Sequence, residues 1–123
     1  METDRRRSDM ESILTTVKKF LGITEEYTQF DVDIISHINS VFMTLNQLGV
    51  GPSAGFVIRD QYAVWTDFME DGPLLEMVKS YMGKKVQLLF DPPDRTVIMD
   101  AVKNQISEFE WRLNAAVDPN QSS

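Results

Sequence analysis

The stretch that decides the fold is residues 73–93, PLLEMVKSYMGKKVQLLFDPP. Pro73 suits the first position of a helix, where the missing N–H of a proline costs nothing. Asp91-Pro92-Pro93 ends the helical pattern, because a proline keeps the preceding residue out of the α region. The broad apolar face between these limits predicts a central helix over 73–90. The residues on that face are Leu74, Leu75, Val78, Tyr81, Met82, Val86, Leu88, Leu89 and Phe90.

Three further segments carry apolar residues at helical spacing and predict helices around the central one. The first covers about 9–21 and begins with a capping box made by Ser8 and Glu11. The second and fourth helices are predicted at about 32–48 and 95–116, with Asp31 and Asp94 as their caps. The sequence therefore predicts a mainly α, four-helix bundle-like domain.

A glycine-rich loop at 49–55 precedes two short runs of β-prone residues. Phe56-Val57-Ile58 and Tyr62-Ala63-Val64-Trp65 flank the polar residues Arg59-Asp60-Gln61, which is the pattern of a β-hairpin. A lone two-stranded hairpin is marginally stable in water, so it needs support from the helices or from a neighbouring subunit. We expect a short hairpin between helices two and three, followed by a helical turn near 66–70.

Length and composition predict one domain with short polar ends. The chain has 123 residues, a formal charge of −7 and no cysteine, and domains commonly contain about 100–150 residues. We expect residues 1–9 to be a disordered N-terminal extension, 10–116 to form the helical domain, and 117–123 to be a flexible tail. No run approaches the roughly 20 apolar residues that a membrane span requires, and no secretory signal follows the early arginines.

Few residues could carry chemistry. Without cysteine there is no disulfide, thiolate nucleophile or cysteine zinc site, and a single histidine, His37, cannot form a multi-histidine metal site. The charge of −7 argues against a dedicated DNA-binding face. Neither a nucleophile elbow nor a phosphate loop is present. The sequence therefore predicts no catalytic, cofactor-binding or metal-binding residue, and no enzyme.

Two residues depart from the helical pattern. Lys85 falls within the apolar sector of the third helix, where its stem packs on the core or its ammonium pairs as a buried charge; a functional lysine is the alternative. Trp111 lies about 180° from the apolar face of the fourth helix. Aromatic anchors are enriched where subunits meet, so Trp111 predicts either a subunit contact or a site beneath a loop of its own chain.

Six stretches, spread over nearly all of residues 10–118, can be compared with known families. They are SILTTVKKFLG at 12–22, FDVDIISHINSVF at 30–42, LNQLGVG at 45–51, VKSY at 78–81, LLFDPP at 88–93 and ISEFEWRLN at 106–114. None carries chemistry alone, so their order and spacing form the comparison. Together they resemble the tailed-phage head–tail connector proteins, also called adaptor or head-completion proteins, in the form common in prophages of Gram-positive bacteria.

The resemblance implies a structural virion protein without enzyme activity or cofactor. It implies a dodecameric ring that joins the portal vertex of the capsid to the stopper and tail-completion proteins, with DNA only as passing cargo and no membrane contact. We expect the protein in the host cytoplasm before assembly. The implied portal-binding residues are Asn114, Val117, Asp118 and Pro119, and the candidate subunit-interface residues are Phe56, Ile58, Tyr62, Val64, Trp65 and Trp111.

Two other functions stay open from the sequence. The first is an acidic protein-interaction module or small phage-encoded regulator that binds a host protein. The second is a small hydrolase that uses His37.

Overall fold

The computed structural model describes residues 11–117. Within this range five helices follow one another: α1 (Ile13–Phe20), α2 (Asp31–Gln47), α3 (Trp65–Phe68), α4 (Pro73–Phe90) and α5 (Thr96–Val117). The predicted mainly α, bundle-like fold is confirmed, and the bounds of α4 agree with those expected from Pro73 and Asp91-Pro92-Pro93. The expectations for residues 1–9 and for most of the tail fall outside the described residues.

Helix α4 is the centre of the bundle. It packs against α1, α2 and α5, and its side chains Val78, Tyr81, Met82 and Val86 are buried. Helix α1 approaches α4 closely at Gly83, where an added Cβ would lie 2.5 Å from the ring of Phe20. The absence of a side chain at this position is what allows the two helices to pack so closely.

The start of α1 differs from the prediction. The helix begins at Ile13, and the hydroxyl of Ser12 caps it by accepting a 3.2 Å hydrogen bond from the N–H of Thr15. Glu11 accepts a hydrogen bond from Thr16 at 3.0 Å and pairs with Lys79 of α4 at 3.0 Å. The prediction of a continuous helix from about residue 9 is therefore wrong, because Ser12 is the N-cap and α1 begins at the next residue.

The β-hairpin predicted across 56–65 is not formed in the described structure. The side-chain amide of Asn39 on α2 donates to the carbonyl of Ile58 at 3.0 Å and accepts from its N–H at 2.8 Å, so it occupies the groups that a partner strand would need. Val64 forms an isolated antiparallel bridge with Ser12 instead. The two β-prone runs thus pair with α2 and with the start of α1, rather than with each other.

An aromatic cluster fixes the segment between α2 and α4 onto the bundle. The ring of Phe42 lies 5.0 Å from Phe56 and 4.7 Å from Phe68, measured between centroids. Trp65 is buried beside them, and its indole N–H donates a 3.0 Å hydrogen bond to the hydroxyl of Thr16. Buried aromatic pairs are worth about 0.5–1.5 kcal/mol beyond the area they bury, so this segment is part of the core and not a separate hairpin.

Candidate interaction surfaces

Residues 11–117 contain no group of three or more histidine and acidic side chains that could hold a metal ion. The ring of His37 is half-buried and packs edge-on against Phe90 of α4, with the centroids 6.3 Å apart. This contact gives His37 a packing role between α2 and α4. The hydrolase hypothesis therefore gains no support from its geometry.

Two lysines lie among apolar side chains, and only one was singled out from the sequence. Lys85 keeps 27% of its side chain exposed, and its Nζ lies 3.5 Å from Glu110 on α5. Lys18 is only 2% exposed; its Nζ lies 2.8 Å from Asp31 and donates to the carbonyl of Glu25 at 3.0 Å. Sequence reasoning missed Lys18 because its partners follow in a separate segment, although its place beside the apolar stripe of α1 was a signal.

Asp31 is not the N-cap of α2 that the sequence predicts, but the first residue of the helix. Phe30 occupies the capping position without a side-chain hydrogen bond, and Asp31 is the first residue of the helix. Its carboxylate therefore lies at the positive end of the helix dipole while it also pairs with Lys18. This pair joins α1 to α2.

Tyr81 and Glu110 connect the central helix to α5. The hydroxyl of Tyr81 donates a 2.8 Å hydrogen bond to the Glu110 carboxylate oxygen that also faces Lys85. Burial, and then this hydrogen bond, raise the pKa of Tyr81 far above its ordinary value. Tyr81 is therefore a neutral donor that orients α5 on α4, and the arrangement is structural.

The candidate subunit-interface residues divide into two groups. Ile58, Val64 and Trp65 are buried in the protein's own core, and Phe56 is half-buried in the aromatic cluster. Tyr62 is 68% exposed and Trp111 is 71% exposed. Their contact with a second subunit stays a prediction.

The outward surface of the middle segment was missed from the sequence. Val57 is 58% exposed and Arg59 is also exposed, because the chain alternates inward and outward along 56–59. Beside Val57 a shallow groove of about 350 Å³ runs along the outside of α2, and Met43, one of its lining residues, is 66% exposed. This groove is mostly apolar and lies outside the bundle.

Helix α5 presents a second uncovered surface. Ile106 and Leu113 are its buried residues, and they face α4. Trp111 and Val97 lie on the opposite side, with Val97 81% exposed. No loop among residues 11–117 covers Trp111, so the second of the two sequence interpretations does not hold for the described chain.

The candidate portal-binding residues lie at the end of α5. Asn114 donates a 3.1 Å hydrogen bond to the carbonyl of Leu48 at the end of α2. Val117 is the last residue of α5, and its side chain is half-buried and approaches Gly49. Asp118 and Pro119 lie outside the described residues. The end of α5 is therefore held against the end of α2 immediately before the tail.

Comparison with known proteins gives the family. Among residues 11–117, no helix combines the length and apolar character that crossing a membrane would require. Searches of curated proteins and of solved structures found no match. A family model described as "Phage connector protein" matches residues 13–120, which is almost the whole described chain. The chain therefore belongs to the phage connector protein family, whose members act as structural connectors between phage head and tail.

Proposed function

We propose that this protein assembles into a ring of identical subunits that joins the portal vertex of the capsid to the tail. The ring, dodecameric by the resemblance, leaves a channel through which packaged DNA passes. The family match over residues 13–120 carries this proposal. Its neighbours are the portal protein on one side and the stopper and tail-completion proteins on the other, after assembly from subunits in the host cytoplasm. A prophage of a Gram-positive bacterium is the proposed source.

The distribution of apolar side chains supports assembly. Trp111, Met43 and Val57 are each more than half exposed on the outside of the bundle. Aromatic residues and methionine are enriched at protein interfaces, while single chains seldom gain from exposing them. A protein with these surfaces buries more apolar area when it associates.

Charge and chemistry support a structural role. The net charge of −7 suits a channel that lets DNA pass without binding it, since phosphate contacts require a basic surface. We propose that the protein has no catalytic activity and that its work is shape and contact. The C-terminal segment from Asn114 to Pro119 is the proposed portal-binding element.

Co-sedimentation with cognate portal particles tests this function. Purified protein is mixed with portal rings and the pellet is analysed for bound subunits per ring. We expect saturable binding, and we expect a variant with Asp118→Ala and Pro119→Ala to lose it while keeping its thermal stability. Portal rings from an unrelated phage serve as the control. A folded wild-type protein that never sediments with its cognate portal would contradict the proposal.

A further inference from the structure

We infer that the ring forms by a head-to-tail contact in which the outside of α5 on one copy docks on the outside of α2 on the next copy. The inference rests on the proposed ring and names the partner of each exposed surface, which is a second copy of this chain. Two surfaces are involved. The outer α5 face consists of Val97, Ala101, Asn104, Glu108, Trp111 and Ala115, and the outer α2 face consists of Met43, Asn46, Val57 and Arg59.

The outer α5 face is a narrow stripe along a long helix. Its members are spaced alternately four and three residues apart, so they fall within a sector of about 80° at 100° per residue. Trp111 is the large side chain of the stripe, and the small residues Ala101 and Ala115 lie before and after it. Small neighbours let a second backbone approach while the indole projects forward. The stripe therefore presents one large aromatic side chain, Trp111, between the small residues Ala101 and Ala115.

The outer α2 face has the complementary shape. The groove of about 350 Å³ between α2 and the 54–57 segment is lined by Met43 and Val57. The double hydrogen bond between Asn39 and Ile58 holds the extended chain against α2, so the groove is formed before any partner arrives. A preformed groove lowers the ordering cost of association. The lining residue Met43 suits an aromatic side chain of the partner because its thioether is flexible and polarisable.

The charges next to the two apolar features also match. Glu108 lies one turn from Trp111, about 5–6 Å away. Arg59 lies two residues from Val57 on the same side of the extended chain, about 7 Å away. Arg59 makes no ion pair with any residue in the range 11–117, and Glu108 pairs with Arg112 on its own exposed helix. An indole seated over Val57 therefore brings Glu108 towards the guanidinium of Arg59.

Two simpler ways of covering these surfaces account for less of the exposed apolar area. Within one chain, α2 and α5 both pack on α4, and their outer faces point away from it, so the two surfaces cannot meet. A symmetric contact of Trp111 with its own copy would leave Met43 and Val57 uncovered. A contact between two different surfaces lets subunits add one after another, and it gives the proposed ring when the rotation between neighbours closes the circle.

Mixing two defective variants tests the pairing directly. Trp111→Ala removes the anchor, and Val57→Glu places a charge at the groove; sedimentation velocity then measures the assemblies. We expect each variant alone to be monomeric and the mixture to stop at one-to-one pairs, because one intact surface of each kind remains. A symmetric tryptophan contact predicts instead that Val57→Glu alone self-associates normally. That result would overturn the inference.

A charge exchange supplies a second measurement. We expect Arg59→Glu or Glu108→Arg alone to weaken self-association about tenfold, and the double exchange to restore it, as for close charge pairs across interfaces. Leu89→Ala is the matched control, because Leu89 is a half-exposed apolar residue on neither face. Every variant is first shown to melt as the wild type does.

The outcomes separate this pairing from the ring itself. Wild-type protein that assembles while the Trp111 and Val57 variants assemble equally well would overturn the pairing and leave the ring. Wild-type protein that stays monomeric in solution and on portal particles would overturn both.

Discussion

The buried pair between Lys18 and Asp31 gives the sharpest test of how this small bundle is held together. Lys18 is 2% exposed and Asp31 is 19% exposed, with 2.8 Å between their charged atoms. The two partners are therefore unequal, since one is enclosed by the core and the other reaches water at the start of α2. We predict that removing the acid costs more stability than removing the base.

The magnitude follows from what each variant leaves behind. Asp31→Asn leaves the ammonium of Lys18 buried, where it still donates to the carbonyl of Glu25. Uncompensated buried charges cost about 3–5 kcal/mol, and this remaining acceptor sets our expectation at the lower end. Lys18→Met keeps the apolar stem but leaves the buried Oδ1 of Asp31 without Lys18. The charge of Asp31 stays favourable at a helix N-terminus, and the residue is 19% exposed. We expect this second change to cost less than the first, about 1–2 kcal/mol.

Urea unfolding followed by circular dichroism measures both values. Asp33→Asn is the matched control, because Asp33 is an exposed acid in the same first turn of α2 and makes no ion pair with any other residue between 11 and 117. We expect it to cost about 0.3–1 kcal/mol through the helix dipole alone. A Lys18→Met variant that loses as much stability as Asp31→Asn would refute the reasoning, because the pair would then be stabilising in its own right.

Three further predictions concern ties inside the fold. Asn39→Ala leaves the N–H and carbonyl of the buried Ile58 without this partner; we expect a loss of about 2–4 kcal/mol in urea unfolding, and a loss under 1 kcal/mol would contradict it. Gly83→Ala gains about 1 kcal/mol of helix propensity but meets the ring of Phe20; we expect net destabilisation in the wild type and stabilisation in a Phe20→Ala background, measured as the melting temperature. The raised pKa of Tyr81 means that the folded state holds this proton longer, so its stabilisation is complete below the ordinary value of 10.0 and falls as the pH rises above it. Unfolding between pH 8 and 11 is expected to show a shallower decline for Tyr81→Phe than for the wild type.

Local signals in the sequence were enough for the helices. Pro73 and Asp91-Pro92-Pro93 fix the ends of α4 through the backbone geometry of proline, which no distant contact can change. The outward direction of Trp111 also followed from the sequence, because the phase of a helix places it opposite the residues that face the core; its 71% exposure came from the structure. Fold class and the main exposed anchor thus depend on short-range regularities.

Distant pairings account for what the sequence did not predict. The middle segment alternates as a hairpin would, but the group that satisfies Ile58 lies 19 positions earlier, on Asn39. The place of Val64 is likewise set by Ser12 at the other end of the domain. Periodicity predicts which faces are apolar, but it does not tell which backbone groups pair. The groove on α2 forms because the hydrogen bonds of Asn39 hold the segment around Ile58 against the helix. The sequence therefore did not predict this groove.

The same pairings explain how a chain of 123 residues can present rigid surfaces for assembly. Lys18 ties α1 to the start of α2, Asn39 ties the middle segment to α2, and Tyr81 ties α4 to α5. Each of these contacts joins elements of the bundle, while the side chains of Trp111 and Val57 lie outside it and make no hydrogen bond or ion pair within residues 11–117. Substitutions inside should therefore change stability first, and substitutions outside should change association first. Trp111→Ala should therefore lower the stability of the monomer much less than Asn39→Ala does. An equal loss would contradict the separation of stabilising residues from association residues, and it would contradict the inference that the outside of α5 contacts a neighbouring subunit.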